Sequence, residues 1–163
     1  GLWHKMMPYE EAIRVPLVMR YPGAIQAGVR SDAVVSLVDL APTLLALTGA
    51  SIPDDMSGAD LSPLFRDGHD SEQAPYRFSE HKPLGDWHHT AEWRLIVDDR
   101  FKYVWNQGDL DELYDLQSDP WEMRNLIDSD VHFPDRARLR ASLRDWMSAT
   151  MDPLLAHFDM EAA

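Results

Sequence analysis

Trp93–Tyr114 reads WRLIVDDRFKYVWNQGDLDELY, and this stretch decides the architecture of the second half of the chain. Trp93–Val97 and Phe101–Trp105 are runs of aromatic and β-branched residues, which suit a pleated and largely covered surface. Asp98-Asp99-Arg100 supplies a polar turn between them, and Asn106–Gly108 a second turn before Glu112-Leu113-Tyr114. Strands joined by connections this short run antiparallel. With Tyr76–Glu80 (YRFSE) upstream, the pattern predicts a four-stranded antiparallel meander. Downstream, Asp119-Pro120-Trp121-Glu122 combines an N-cap residue, a proline at the first helical position and a capping-box glutamate, so a short helix is predicted there. Leu139, Leu143, Trp146 and Met147 then share one face of an amphipathic helix long enough to lie across the meander.

The first half has a different texture. Arg14–Arg20 (RVPLVMR) and Val34–Val38 (VVSLV) are short apolar runs, the first closed by Pro22-Gly23, and each is expected to be a buried strand. Asp39 is placed to cap a helix running through Leu47, with Pro42 tolerated in its first turn and Gly49 as a left-handed stop. Strand, capped helix and glycine stop make an α/β unit, but too few elements to cover both faces of a parallel sheet. This lobe is therefore expected to be the end of a larger α/β domain, with an open edge and an uncovered apolar face that favour self-association. Ser51–Pro75, rich in Pro, Gly, Asp and Ser, reads as a surface connector with one short helix near Leu61–Arg66. The domain boundary accordingly falls at about residue 70: 1–70 the truncated end of an α/β catalytic domain, 71–163 a small α+β lobe of antiparallel sheet and terminal helix.

Composition narrows the function. The 163 residues carry a formal charge of −13 with no offsetting Lys/Arg cluster, which argues against a nucleic-acid partner. No apolar run approaches the length of a bilayer span, so no membrane partner is expected. With no cysteine, this sequence has no disulfide, thiolate metal site or cysteine nucleophile.

Seven blocks occur in a fixed order. They are G-L-W-x-K from Gly1, P-Y-E-E-x-x-R-V-P-L from Pro8, R-Y-P-G from Arg20, S-L-V-D-L-A-P-T-L-L from Ser36, S-G-x-D-L-S-P-L from Ser57, D-R-F-K-Y-V-W-N from Asp99, and D-E-L-Y-D-L-x-x-D-P-x-E-x-x-N-L from Asp111. In this order the blocks resemble the C-terminal part of the type I sulfatases of the alkaline-phosphatase-like superfamily, from Gly1 to about Leu126. The resemblance implies hydrolysis of sulfate esters by a formylglycine nucleophile and a divalent cation, calcium by family habit. It also implies that the Cys/Ser-x-Pro-x-Arg motif and the metal ligands lie upstream, so that this segment alone binds no metal and is inactive. Phosphonate and phosphodiester hydrolases of the same superfamily are the alternative parents, and a non-catalytic binding or oligomerisation module is the alternative outside enzymes.

One residue of the resemblance carries chemistry here. Lys5 falls where the family places a lysine that contacts a sulfate oxygen and the leaving-group side. Ester cleavage gathers negative charge on the departing oxygen, and a fixed ammonium in a water-poor cleft stabilises it. Glu10, Glu11 and Arg14 are expected to hold the loop that aims Lys5. His4 is a neighbouring candidate for substrate contact. The other dense group, Glu80–His89 (EHKPLGDWHH), offers His81, Trp87 and His88 as substrate contacts, the indole providing a flat face for a sugar or aryl group. Adjacent His88-His89 converge poorly on one ion, so no metal site is expected there. Asp109, Asp111 and Asp115 lack the glycine and glutamate of a calcium loop and are expected to form a solvated turn. Trp93, Tyr103, Trp105 and Tyr114 are expected as meander core.

Overall fold

The computed structural model describes residues 6–67, 75–83 and 91–161. The chain divides into two compact units, one made of Pro16–Arg77, the other of Gly1–Val15 together with Phe78–Ala163. Residues 6–15 thus share a unit with the residues from Phe78 onward.

The larger unit is built on four strands in sequential order, β1 (Arg77–His81), β2 (Trp93–Val97), β3 (Phe101–Asn106) and β4 (Glu112–Asp115). The antiparallel meander expected from the turns is present. β2 and β3 pair antiparallel with Leu95 opposite Val104, and β3 and β4 pair antiparallel with Tyr103 opposite Leu113. At the β2–β3 turn, Asp98 Oδ1 accepts the N–H groups of Arg100 and Phe101 at 2.8 and 2.6 Å, which fixes the hairpin. Every residue of β3 is buried, so both sheet faces are covered. Register puts Ile96, Tyr103, Trp105 and Leu113 on one face and Trp93, Leu95, Lys102, Val104 and Tyr114 on the other.

Two helices close the first face. A short helix α1 (Glu10–Ile13) belongs to the second face, where Ile13 packs against Trp93, Leu95 and Val104. After α2 (Leu40–Thr48) and α3 (Leu64–Asp67), the long α4 (Phe133–Ala149) presents Leu139, Leu143 and Met147, all fully buried as their spacing predicts. The final α5 (Leu155–Met160) adds Phe158, whose ring meets Trp105 edge-on at 5.3 Å. Arg94 and Asp152 pair through two hydrogen bonds of 2.6 and 3.1 Å, both side chains buried.

The helix predicted at Asp119 is absent. The backbone turns instead, with Glu122 in the left-handed region at φ 54° and the Asp119 carboxylate accepting the Arg124 N–H at 2.8 Å. A capping-box glutamate must fold back onto its own N-cap, whereas Glu122 reaches the Glu10 N–H, more than a hundred residues away, and Lys102.

In the smaller unit, α2 stands where expected and ends at Gly49, φ 74°. Asp39 does not cap it directly. It closes a 3₁₀ turn (Leu37–Asp39) in which its carboxylate accepts the Ser36 N–H at 2.8 Å, and it also accepts the Ala59 N–H at 2.9 Å. Arg77 Nε lies 3.4 Å from the same carboxylate. Thr43 donates to the Asp39 carbonyl and accepts from the Leu61 N–H at 2.9 Å. Gly58, φ 97°, passes so close to Val38 that a β-carbon would sit 2.3 Å from the Val38 carbonyl oxygen. Two of the quoted blocks, Ser36–Leu45 and Ser57–Leu64, are thus one docked structure. The expected strands at residues 14–20 and 34–38 are not strands. A strand is defined by its ladder, and among the described residues nothing pairs with these runs. Leu17, Val18, Leu37 and Val38 are exposed.

Candidate functional site

Lys5 and His4 lie outside the described residues, as do Trp87 and His88. What the structure describes is how the backbone immediately after Lys5 is held. The Trp93 indole N–H donates to the Met6 carbonyl at 2.9 Å. Lys102, projecting from β3 on the same sheet face, donates to the Pro8 carbonyl at 2.8 Å and to Glu10 Oε1 at 3.2 Å, and pairs with Glu122. Glu122 in turn accepts the Glu10 N–H at 2.7 Å. The Lys102 side chain is 0% exposed and that of Glu122 1%. Burial pushes the Glu122 carboxyl up from its ordinary value, while the Lys102 ammonium and the Glu10 amide pull it back.

The cluster joins three of the blocks: Glu10 from P-Y-E-E, Lys102 from D-R-F-K, and Glu122 from D-P-x-E. Glu10 is expected to hold the loop that carries Lys5; its carboxylate accepts from Lys102, which also takes the Pro8 carbonyl. Glu11 is exposed, and Arg14, whose guanidinium is largely in solvent, approaches Glu10 at only 4.0 Å. Lys102 and Glu122 were missed as members of this group. The available signal was a charged residue, Lys102, in the middle of an otherwise apolar strand at an inward position.

His81, at the end of β1, is brought to the same place. Its ring stacks on Trp93 at 5.6 Å, and Trp93 holds Met6. The structure therefore places one of the expected substrate contacts, His81, one ring away from the residue that follows Lys5 in sequence.

The aspartates of the Asn106–Asp115 region divide. Asp109 is exposed, as a solvated turn requires. Asp111 and Asp115 turn inward: Asp111 accepts the Tyr103 hydroxyl at 2.5 Å and lies 3.6 Å from Arg140, and Asp115 takes Arg100 at 2.8 Å. Cations already in the protein occupy these carboxylates. Among the described residues no group of three His, Asp or Glu side chains is placed to hold a metal ion.

Comparison with known proteins gives a consistent answer. Residues 1–149 match the family described as N-sulphoglucosamine sulphohydrolase, C-terminal. An N-acetylglucosamine-6-O-sulfatase of Bacteroides thetaiotaomicron is 34% identical over 143 residues, covering 78% of this chain and 24% of that protein. A protein solved in complex with its substrate D-glucosamine-2-N,6-O-disulfate superposes with a TM-score of 0.82 at 29% identity, over 90% of this chain and 31% of the other. A phosphonate monoester hydrolase from Silicibacter pomeroyi superposes with a TM-score of 0.77 at 30% identity, over 94% of this chain and 32% of the other. The chain thus spans 24–32% of the length of these relatives. The fold class expected from sequence, α/β with a C-terminal antiparallel lobe, is the one these structures bear out.

Proposed function

Because this chain belongs to the N-sulphoglucosamine sulphohydrolase C-terminal family, and so forms the C-terminal portion of a sulfatase of the alkaline-phosphatase-like superfamily, we propose that it serves a hydrolase acting on sulfated sugars. The observation that carries the substrate class is the 0.82 superposition on a protein holding a glucosamine disulfate as its substrate, together with the 34% identity to an N-acetylglucosamine-6-O-sulfatase.

In this reading residues 1–70 are the end of the catalytic α/β domain and residues 71–163 its C-terminal subdomain. The parent supplies a formylglycine nucleophile and a divalent cation, calcium on family resemblance, from outside this segment; when bound, the cation polarises the sulfate oxygens. Within the segment, Lys5 holds its ammonium against the transferring group and offsets charge that builds on the leaving oxygen. His4, His81, Trp87 and His88 line the approach of the sugar. Trp87 offers a ring face to the sugar's C–H surface, and the imidazoles donate to hydroxyl or sulfate oxygens. The resemblance to a phosphonate monoester hydrolase supports a second reading, in which the parent cleaves a phosphonate or phosphodiester ester with the same lysine.

The test uses the full-length protein. Replacing Lys5 by Ala is expected to lower kcat on a glucosamine 6-sulfate by about a hundredfold or more, with a smaller change in KM. An unchanged kcat removes Lys5 from the chemistry. Turnover of sulfate, phosphodiester and phosphonate esters compared side by side separates the two parents. The 163-residue chain alone is expected to turn over none of them.

A further inference from the structure

Two donors on one sheet face grip two successive anchor points after Lys5. Trp93 takes the Met6 carbonyl at 2.9 Å, and Lys102 takes the Pro8 carbonyl at 2.8 Å. Behind the second grip stand the Glu10 and Glu122 carboxylates, with Glu122 also receiving the Glu10 N–H. Covering this sheet face needs none of that charge: Ile13 already packs on Trp93, Leu95 and Val104. Burying an ammonium and a carboxylate carries a desolvation cost that apolar residues of similar volume avoid, so such a pair contributes little net stability. What it contributes is direction. Hydrogen bonds to a carbonyl admit a narrow range of geometries, whereas apolar contact admits many.

We propose that Trp93 and Lys102 are positioning residues for the Lys5 ammonium, Lys102 being oriented for that task by Glu10 and Glu122. The proposal rests on the reading of Lys5 as the group that faces the sulfate. Lys5 is joined to Met6 by a single peptide unit, so fixing the carbonyls of Met6 and Pro8 restrains the backbone to which Lys5 is bonded. A displacement of about an ångström at a charge-stabilising group is enough to cost about a hundredfold in rate.

The experiment is a set of kinetic cycles on the intact parent enzyme with a sulfate ester. Trp93→Phe keeps an aromatic ring, smaller than the indole, and deletes the N–H. Lys102→Met combined with Glu122→Gln removes both buried charges together, so that neither is stranded. Each is expected to lower kcat by about tenfold or more, to leave KM within about twofold, and to lower Tm by only a few degrees. In a Lys5→Ala background the same changes are expected to alter kcat by less than about twofold, because the group they position is gone. Equal fold-losses with and without Lys5, or a lowered Tm with kcat unchanged, overturn the proposal. Should Lys5→Ala by itself leave kcat intact, the reading of Lys5 fails and this inference falls with it, an outcome visible in the single variant alone. If the Lys102/Glu122 variant does not fold, Trp93→Phe decides the matter.

Discussion

Asp115 shows how far one side chain can depart from what its neighbours in sequence suggest. Placed in an acidic, turn-rich stretch, it is nonetheless buried, with Arg100 Nη2 at 2.8 Å and the N–H groups of Gln117 and Ser118 at 3.1 and 3.4 Å. The hydrogen bond from Arg100, first among these, holds its carboxyl down from 3.8 to about 2. A depressed carboxylate stabilises the fold above its unfolded value and loses that contribution as pH falls through its folded value. Asp115→Asn is therefore expected to cost about 1 kcal/mol near neutral pH, the cost fading as pH falls from about 4 to about 2. Urea melts of both proteins across that range check it; a difference that stays constant to pH 2 contradicts the assignment.

Among the elements, the docking of Ser36–Thr43 on Ser57–Leu64 is the most constrained, and it turns on Gly58. A side chain there would meet the Val38 carbonyl oxygen at 2.3 Å from a backbone at φ 97°. Gly58→Ala is expected to destabilise the protein by about 3 kcal/mol, measured by chemical denaturation; a loss under about 1 kcal/mol would mean the two blocks part easily. The elements also show what sequence makes legible. The β2–β3–β4 part of the meander was readable because its strands meet across short turns, and α4 because Leu139, Leu143 and Met147 repeat at helical spacing. The expected strands at residues 14–20 and 34–38 were not, because a strand depends on a partner that its own residues do not specify. The helix at Asp119 failed for a related reason: local capping chemistry lost Glu122 to Lys102 and to an amide 112 residues away. The candidate site was legible only as far as its motif. The blocks pointed to Lys5 and Glu10, while the buried Lys102 that holds their segment looked like one charge in an aromatic strand.

At the scale of the whole molecule, both units leave large apolar side chains in water, Trp121 (71%) and Met123 (84%) among them in the sheet unit. The sheet unit buries a continuous set of side chains from Leu95 to Phe158. The Pro16–Arg77 unit leaves Val18 90%, Leu37 68% and Val38 55% exposed. We expect the isolated 163-residue chain to self-associate through these residues, its apparent mass in light scattering rising with concentration. A concentration-independent monomer would show that this surface is tolerated by water. The sheet unit carries a different consequence, one of timing. On its second face Ile13 packs against Trp93, Leu95 and Val104, yet the lysine that pairs with Glu10 comes 92 positions after it. During translation at about 5–20 residues per second, the earlier segment waits on the order of ten seconds before its strand leaves the ribosome. Through that interval Ile13 and the acidic pair beside it remain unmatched, which makes this short stretch a natural client for a chaperone while the sheet is being made.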